Sequence, residues 1–491
     1  MKRRISFILA LLILAGSMSC GSGSADKTQD TTASDTTTSG ETTAEEVLTD
    51  GVPDIDMDGF VFSVYHNAPA QMHWTNVTLD IKEQDGEVLN EAIYKRNRAV
   101  EDRFNCAIEV TEFNDFQLGN AQIKKAVMSG DNEYDLWLPR DYYVVDSIPY
   151  LRPLNDLPYV NLDADWWFPQ ASKVFNFNGK QYAATSSFSL SPISRAGGFI
   201  FDKDIYDKIG ADKTPYEYVR DNEWTLDTLA RTAKLGYKDL NGNAQIDKED
   251  QFGIGSSWKE IYARYINGSG IFFISQDENG YPVFDLPDNQ TAIDKMLRIF
   301  DLFNDKEIYN NSSKSDAEVL ANGTIQEHNV LYALGHPNAM GTKYRQLDNV
   351  NVGFVPCPKY DSDQERYYSP TWAAEMMVIL KTLPEERLEN VSAILEALSF
   401  AGHYDVLPIY KEVMMKGKYA QDTESEEMFD IVLDSMCFDF GLIAWEGAVA
   451  NPLIAGIYAS GEGNVVSTFA KLEGKINGVI EKLIKNLEAE E

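Results

Sequence analysis

Cysteine and histidine are scarce in this sequence, and their scarcity argues against several classes of protein. Four cysteines among 491 residues are too few and too irregularly placed for a disulfide framework. The sequence leaves open whether one disulfide forms among Cys106, Cys357 and Cys437. The five histidines are scattered, and neither the HExxH motif of zinc proteases nor the GxSxG motif of serine hydrolases occurs. No recognisable catalytic motif therefore marks the chain as an enzyme.

Basic residues are also in short supply. The chain has 43 Lys and Arg against 77 Asp and Glu, which gives a formal net charge of −34. Such a balance argues against binding to nucleic acid or docking on anionic lipid, because both surfaces are negatively charged. We interpret the charge as a solvated acidic surface. The body, from about residue 51 to residue 491, is long enough for two or more domains.

Long apolar runs are absent except at the N-terminus. There, a basic start (residues 2–4) precedes an apolar run (residues 5–15) that is too short to span a bilayer. The run ends in Ser-Met-Ser-Cys at residues 17–20, which resembles the lipobox of bacterial lipoproteins. We therefore expect residues 1–19 to be a signal peptide and Cys20 to be lipidated. The alternative is an ordinary cleaved signal followed by an incidental cysteine.

Residues 21–50 contain no aromatic side chain and consist mostly of Ser, Thr, Gly and acidic residues. A segment of this composition cannot bury enough apolar surface to offset its ordering entropy. We expect residues 20–50 to be a flexible tether that joins a lipidated cysteine to the folded body. This order of parts predicts a membrane-anchored protein at the cell surface or in the periplasm.

Strand-like and helix-like stretches alternate along the body. The pattern predicts strands at residues 60–65, 106–110, 135–138, 199–201 and 352–355, and helices at 89–104, 121–128, 225–235 and from 467 onwards. Strands that alternate with crossover helices imply parallel sheets and an α/β architecture.

An Asp/Asn-rich segment has the spacing of a calcium-binding loop. The predicted metal ligands are Asp239, Asn241, Asn243, Gln245 (through its backbone carbonyl), Asp247 and Asp250. Two residues depart from the usual pattern: Ala244 replaces the glycine of the sharp turn, and Asp250 replaces a longer Glu. We expect a structural Ca²⁺ ion and no catalytic cofactor. The alternative is a polar turn that binds no ion.

Several segments in sequence order resemble a known family. They are Asn-Gly-Lys-Gln-Tyr at residues 178–182, then residues 198–206, the helix start Trp-Thr-Leu-Asp at 224–227, and residues 332–337 with 352–358. Together they are similar to segments of the extracellular solute-binding proteins of ATP-driven (ABC) importers, in particular the carbohydrate-binding group that includes maltose-binding protein. The resemblance covers nearly all of the body.

This resemblance implies a type II periplasmic-binding-protein fold with two α/β lobes and a ligand cleft between them. Lobe 1 would comprise residues 54–188 and 374–402, and lobe 2 residues 198–372 and 408–491. Hinge passages would lie near residues 188–198, 369–374 and 403–408. The ligand that the resemblance implies is a carbohydrate, and in this group we expect an oligosaccharide. Its capture would favour a closed form that the permease subunits of an ABC importer recognise.

A sugar-binding cleft needs aromatic rings for the C–H faces of the sugar and polar groups for its hydroxyls. Trp137, Arg140 and Asp141 follow one another at the carboxyl end of a predicted parallel strand, where ligands of α/β sheets gather. The resemblance places a stacking tryptophan at the same point. We therefore predict that Trp137 stacks on the ligand and that Arg140 or Asp141 pairs with its polar groups.

Other candidate ligand-binding residues follow from strand ends, from the family-like segments and from the predicted hinge passage near residues 369–374. They are Tyr65, His66 and Asn67, His336 and Asn338, Trp372 and Glu375, and Trp445 with Glu446. For each of these residues a purely structural role is the alternative. Trp166, Trp167 and Trp224 are interpreted as core or surface residues of the lobes.

Two other functions compete with solute binding. A lipid-anchored glycoside hydrolase would need two carboxylates facing each other across a cleft, and no pair is marked out in this acidic chain. A structural or adhesive surface lipoprotein would not need the crossover motifs. Solute binding without turnover is therefore the favoured interpretation.

Overall fold

The computed structural model of the chain describes residues 48–67, 78–113, 119–308, 325–344, 349–415, 423–458 and 461–488. The predicted signal peptide, Cys20 and nearly all of the predicted tether lie outside these residues. Among the described helices, none combines the length and the apolar character needed to cross a membrane.

Strands and helices alternate along the described chain, as the sequence pattern predicts. The strands are β1 (Phe60–His66), β2 (Cys106–Glu112), β3 (Leu136–Leu138), β4 (Leu151–Arg152), β5 (Asn176–Phe177), β6 (Lys180–Gln181), β7 (Gly198–Asp202), β8 (Phe252–Ile254), β9 (Ser275–Gln276), β10 (Pro282–Val283), β11 (Val330–Gly335), β12 (Val352–Pro356), β13 (Ser369–Pro370), β14 (Ile379–Leu380) and β15 (Met436–Cys437). The first helices are α1 (Val88–Phe104), α2 (Gly119–Ser129), α3 (Asp141–Ser147), α4 (Pro169–Ser172), α5 (Ser191–Ser194), α6 (Lys203–Tyr206), α7 (Pro215–Arg220), α8 (Leu226–Leu235), α9 (Trp258–Gly268) and α10 (Gln290–Phe303). The later helices are α11 (Pro337–Thr342), α12 (Glu385–Ala401), α13 (Leu407–Met415), α14 (Thr423–Asp434), α15 (Phe440–Ile443), α16 (Ala450–Tyr458) and α17 (Val465–Glu488).

The first sheet has β1 at its centre, with β2 and β3 on either side and all three strands parallel. Its buried residues Phe62 and Val64 share one hydrophobic core with Val100 and Phe104 of α1 and with the apolar face of α12. Because the strands are parallel, their carboxyl ends meet at one edge, where Tyr65 is in register with Trp137. The sequence-predicted parallel sheet is therefore confirmed in this part of the chain.

The second sheet has the strand order β12-β7-β11-β8 and is mixed. β7 runs antiparallel to both β12 and β11, and only β11 and β8 are parallel. The prediction of purely parallel sheets is wrong here, because β7, the first strand of this sheet in chain order, runs opposite to the three strands that follow it. At the end of β11, Gly335 allows β7 to approach closely, since a Cβ atom there would lie 2.4 Å from Cγ1 of Ile200.

Two chain segments, residues 184–197 and residues 369–378, run between the regions of these sheets. Ala184 pairs with Met377, Trp137 pairs with Val378, and β13 pairs with β15 further along. A π-helix, Gly402–Val406, connects α12 to α13 without a break in the helical run. Residues 49–491 form one compact unit, and the lobe boundaries given above stay a prediction.

The three cysteines of the folded body form no disulfide with one another. Cys106, Cys357 and Cys437 are all free thiols, with Cys106 partly exposed and the other two buried. Burial raises the pKa of the Cys106 thiol to about 11 and that of Cys357 to about 12, so both are protonated at neutral pH.

Candidate functional site

A pocket of about 390 Å³ lies where the start of α3, helix α9 and the end of β11 meet the segment around residue 372. Its charged and aromatic lining residues are Arg140, Tyr142, Arg195, Glu260, Arg264, His336, Trp372 and Glu446. Four of them, Arg140, His336, Trp372 and Glu446, are candidates named from the sequence. Residues from very distant parts of the chain thus converge on one concave, polar site.

Asp141 holds the start of α3 against the neighbouring segment. Its carboxylate is fully buried and accepts hydrogen bonds from the backbone N–H groups of Tyr142 (2.9 Å) and Ala374 (3.2 Å). Burial raises the pKa of Asp141 to about 7, although the charge of Arg140 and the backbone donors oppose the rise. The structure therefore brings Arg140 into the pocket, whereas Asp141 positions the backbone behind it.

Guanidinium groups cover the aromatic rings of the pocket. The Cζ atom of Arg264 lies 4.4 Å from the centroid of the Trp372 ring, and that of Arg140 lies 5.0 Å from the Tyr142 ring. Tyr142 also interacts through its hydroxyl with the carboxylate of Glu446. At least one face of each ring is therefore occupied by a cation.

His336 lines the pocket, caps the start of α11 and carries no charge. Its Nδ1 atom accepts a hydrogen bond from the backbone N–H of Ala339 (3.2 Å) at the start of α11. Burial and the charges of Arg195 and Arg264 hold the pKa of His336 well below its usual range. The imidazole therefore contributes shape and hydrogen bonds, but no charge, at neutral pH.

His66 and Glu375 lie together behind the pocket rather than in its lining. Both side chains are buried, and the Glu375 carboxylate also accepts a hydrogen bond from the Ser189 hydroxyl (3.1 Å). The Arg140 and Glu375 backbones form an isolated β-bridge. The two predicted residues thus meet, but in a network that joins β1 to the segments around residues 189 and 375.

Trp137 and Tyr65 belong to an aromatic cluster at the edge of the first sheet. Trp137 is only 4% exposed, and its ring stacks on Tyr65 with centroids 4.3 Å apart. Tyr65 stacks in turn on Phe113 at 4.1 Å, and Tyr134 packs edge-on against them. In this conformation the Trp137 ring contacts other side chains, and its stacking on a ligand stays a prediction.

The remaining candidates are placed elsewhere. Asn67 and Asn338 are buried. Trp445 packs edge-on against Phe440 at 4.8 Å and lines a separate pocket of about 210 Å³ with Asp146 and Lys482. Its neighbour Glu446 lines the pocket of about 390 Å³ that contains Arg140 and Trp372.

Three charged pocket residues were missed by the sequence reasoning: Arg195, Glu260 and Arg264. Glu260 and Arg264 are one turn apart on the amphipathic helix α9, where such a pair ordinarily marks a solvated face. Arg264 is instead only 3% exposed. No signal in the sequence alone distinguishes this buried arginine from a surface one.

The predicted calcium loop has much of the expected backbone geometry. The Asp239 carboxylate accepts from the N–H groups of Gly242 and Ala244, and Ala244 adopts φ +58°, the left-handed conformation of the glycine that it replaces. Asp250 is fully buried, and its Oδ1 atom has no hydrogen-bond partner among the described residues. A cation would find an unpaired oxygen here.

The side chains of this loop only partly fit a metal ion. The amide groups of Asn241 and Asn243 donate to Asp247. Among the described residues, the one group of three His, Cys, Asp or Glu side chains whose ligand atoms lie within 4.8 Å of one another is Asp202, Asp204 and His328. The described side chains of the loop do not form such a group. Calcium binding by the loop therefore stays a prediction that requires its side chains to turn inwards.

The Asp202, Asp204 and His328 group is already committed to hydrogen bonds. Nδ1 of His328 lies 2.6 Å from Oδ2 of Asp202, and Nε2 lies 2.6 Å from the backbone oxygen of Asn349. The other carboxylate oxygen of Asp202 caps α6 by accepting from Ile205. We interpret this group as a structural clamp.

Comparison with known proteins identifies the class of fold: the chain folds like the maltose-binding-protein-like, type II periplasmic binding proteins. No family model and no curated protein matches the sequence. Among solved structures, the cyclic α-maltosyl-1,6-maltose binding protein of Arthrobacter globiformis matches with a TM-score of 0.54 and 14% identity, over 86% of this chain and 100% of that one.

Two further solved structures are similar. A cyclo/maltodextrin-binding protein complexed with maltotetraose matches with a TM-score of 0.55 and 14% identity, over 86% of this chain and 97% of that one. An ABC substrate-binding protein of Listeria monocytogenes in complex with cycloalternan matches with a TM-score of 0.52 and 12% identity, over 86% of this chain and 100% of that one. The predicted two-lobed fold class is confirmed.

Proposed function

We propose that this protein is an extracellular solute-binding protein that captures an oligosaccharide in the Arg140–Trp372 pocket and delivers it to an ABC importer. The observation that carries the proposal is the fold, which is shared over 86% of the chain with proteins named for carbohydrate binding. One similar protein is described as an ABC substrate-binding protein. At such low identity the shared fold alone does not fix a function, so the pocket must support it.

The pocket has the chemistry that this function requires. It is concave and combines aromatic rings with guanidinium donors and carboxylate acceptors. Arg140 enters it just beyond the carboxyl end of β3, the position at which ligands bind in α/β sheets. A polyhydroxylated solute would find partners of both kinds there.

The glycoside hydrolase alternative receives less support from the same pocket. Its carboxylates are Glu260 and Glu446, and each has a polar or charged neighbour: Arg195 and Arg264 for Glu260, and Tyr142 for Glu446. A catalytic acid of a glycosidase needs an apolar surrounding that keeps it protonated. Neither glutamate has such a surrounding.

Anchoring and delivery complete the proposal. Acylation of Cys20 would hold the protein at the outer face of the cell membrane, with residues 21–50 as the tether. Ligand binding would shift the population towards a closed form, and the permease subunits would recognise that form. Differential affinity for the two forms is sufficient for this mechanism, and no covalent step is required.

Isothermal titration of the purified body (residues 49–491) with neutral and acidic oligosaccharides of two to six sugars tests the proposal, together with chromatography of each incubated sugar. We expect saturable binding of at least one oligosaccharide, with the sugar recovered intact. Arg140→Gln should weaken the binding, whereas Arg298→Gln, at an exposed arginine paired with Asp227, serves as the matched control. Turnover of a sugar, or the lack of binding by any of them, would overturn the proposal.

A further inference from the structure

We infer that the oligosaccharide taken by this pocket is acidic, with a sugar carboxylate bound by Arg195 and Arg264. The inference rests on the proposed function and adds the chemical class of the ligand. Its basis is a set of buried and half-buried guanidinium groups that outnumbers the carboxylates around it.

The pocket reverses the charge of the protein. Arg140, Arg195 and Arg264 line it together with two carboxylates, those of Glu260 and Glu446. His336 adds no charge, because its pKa is held well below the usual range. In a chain of formal net charge −34, the site therefore carries a positive excess of one. A low-dielectric wall strengthens the attraction of such an excess for an anion.

Arg264 presents hydrogen-bond donors that lack acceptors. The side chain is 3% exposed, and neither Nε nor Nη1 has a hydrogen-bond partner within the described part of the chain. Gly197 packs closely beside it, since a Cβ atom there would lie 3.2 Å from Nε of Arg264 and 2.6 Å from the backbone oxygen of Pro370. A buried donor without an acceptor is costly, so an acceptor that enters the pocket is bound favourably.

Two hydrogen-bond donors of Arg195 also lack acceptors within the ranges that the structure describes, for a different reason. Its Nη1 atom lies 3.3 Å from Nε2 of His336, which looks like a hydrogen bond. However, a neutral imidazole has one lone pair, and Nδ1 uses it to accept from Ala339. Nε2 then carries the proton and cannot accept from Arg195. The Nε atom of Arg195 is also buried and has no acceptor among the described residues.

The aromatic rings point to the same class of ligand. A neutral sugar is held largely by stacking on open ring faces, but Arg264 covers a face of Trp372, and Trp372 is only 6% exposed. A carboxylate matches a planar guanidinium, which can donate two parallel hydrogen bonds to it. The two glutamates remain suited to sugar hydroxyl groups, and they disfavour a ligand made of acidic groups alone.

The central comparison of the test is between oligosaccharides that differ in charge alone. The body (residues 49–491) is titrated with oligomers of galacturonate, glucuronate and mannuronate, and with the same oligomers after reduction of the carboxyl groups to alcohols. Malto-oligosaccharides and sulfated carrageenan oligosaccharides complete the panel. We expect at least one uronate oligomer to bind ten-fold or more tightly than its reduced form, and this binding to weaken as NaCl is raised.

Variants tie the preference to the two arginines. Arg195→Gln should weaken binding of the preferred uronate oligomer by roughly 30-fold or more and leave its reduced form nearly unaffected. Arg264→Lys keeps the charge but loses the planar fork, so its loss should be smaller. Arg298→Gln, at an exposed arginine paired with Asp227, is the matched control. Since Arg195 is only partly buried, its variant should fold even if the Arg264 variant does not.

The outcomes distinguish a failure of this inference from a failure of the proposed function on which it rests. Equal or tighter binding of neutral oligosaccharides would overturn the acidic ligand and leave the solute-binding function intact. Binding of the sulfated oligosaccharides in preference to every uronate would overturn the carboxylate assignment. If no sugar of any charge binds, the inference and the proposed function both fail.

Discussion

The Nε2 atom of His66 lies 3.0 Å from Oε1 of Glu375, although the two residues are 309 positions apart in the chain. Glu112 approaches the other side of the same ring, with Oε1 3.8 Å from Nδ1. Burial alone would lower the pKa of His66, but the charges of Glu375 and Glu112, together with the hydrogen bond to Glu375, outweigh it and raise the pKa to about 9. The end of β1 is therefore joined to the segment around residue 375 by a charged, buried pair.

This pair predicts a loss of stability at alkaline pH. The folded protein holds the proton of His66 more tightly than the unfolded chain does, so the stabilisation is full below about pH 6.5 and is lost as pH rises through about 9. The full effect is on the order of 3 kcal/mol. Urea unfolding of the wild type and of His66→Gln, from pH 6 to 9.5, should show a stability difference that shrinks as pH rises. A difference that is constant with pH would mean that His66 is uncharged in the folded protein.

Trp137→Ala separates core packing from ligand contact. Because the ring is 4% exposed and stacks on Tyr65, its loss should lower the free energy of unfolding by about 3–5 kcal/mol. Trp137→Phe should cost less, since it keeps a ring on Tyr65 and removes a buried indole N–H that has no partner among the described residues. If Trp137→Ala instead leaves stability unchanged and abolishes binding of an oligosaccharide, the sequence-based prediction of a stacking residue is correct.

The Glu396 carboxylate accepts hydrogen bonds from two neighbouring indoles, at 2.9 Å from Nε1 of Trp166 and 2.7 Å from Nε1 of Trp167. Glu396→Leu would leave both donors unpaired at a buried site, which should cost about 2–5 kcal/mol of stability. Glu396→Gln keeps one acceptor oxygen and should cost roughly half as much. Denaturant unfolding of the two variants measures the difference, and equal stabilities would contradict it.

The loop from Asp239 to Asp250 makes two predictions that do not depend on each other. If it binds calcium, addition of Ca²⁺ should raise the melting temperature of the wild type but not that of Asp239→Ala. Independently, Ala244→Gly should stabilise the protein by about 0.5–1 kcal/mol, because glycine adopts φ +58° without the strain of a Cβ atom. An unchanged melting temperature with calcium or chelator would identify the loop as a polar turn.

Closure of the two predicted lobes is measurable in solution. Small-angle scattering of residues 49–491 should show a smaller radius of gyration once a binding oligosaccharide is added. Arg195→Gln at the same sugar concentration is the control for non-specific effects. An unchanged radius at saturation would indicate a rigid binding protein.

The sequence predicts most of the regular elements because their patterns are local. The apolar residues Ile93, Val100 and Phe104 lie on one face of α1, and the strand pattern of residues 60–65 matches β1. Strand direction in the second sheet is different: β7 has the same apolar pattern whether its neighbours are parallel or antiparallel. Local sequence therefore identifies the strand, but its partners depend on the path of the whole chain.

The site was only partly predictable, for a similar reason. Arg140 is predicted because it follows a strand, His336 because it lies in a family-like segment, and Trp372 because it lies near a predicted hinge passage. Arg195 and Arg264 give no such signal, because their burial depends on segments more than sixty residues away, around Leu334 and Trp372. Trp137 was placed at the correct strand end, but the ring lies within the aromatic cluster of the same sheet.

The π-helix at Gly402–Val406 has a consequence for the length of the chain. A π-turn accommodates one residue more than an α-turn, and each residue of an α-helix turns the following side chains by about 100°. Deleting one residue here would let α12 and α13 join in a regular α-helix. Because the wider π-turn has absorbed the extra residue, that deletion should leave Tyr410, which is buried, facing the core. A further residue inserted here would have no such turn to absorb it and would rotate Tyr410 by about 100° out of the core. The segment should therefore tolerate a single deletion far better than a single insertion.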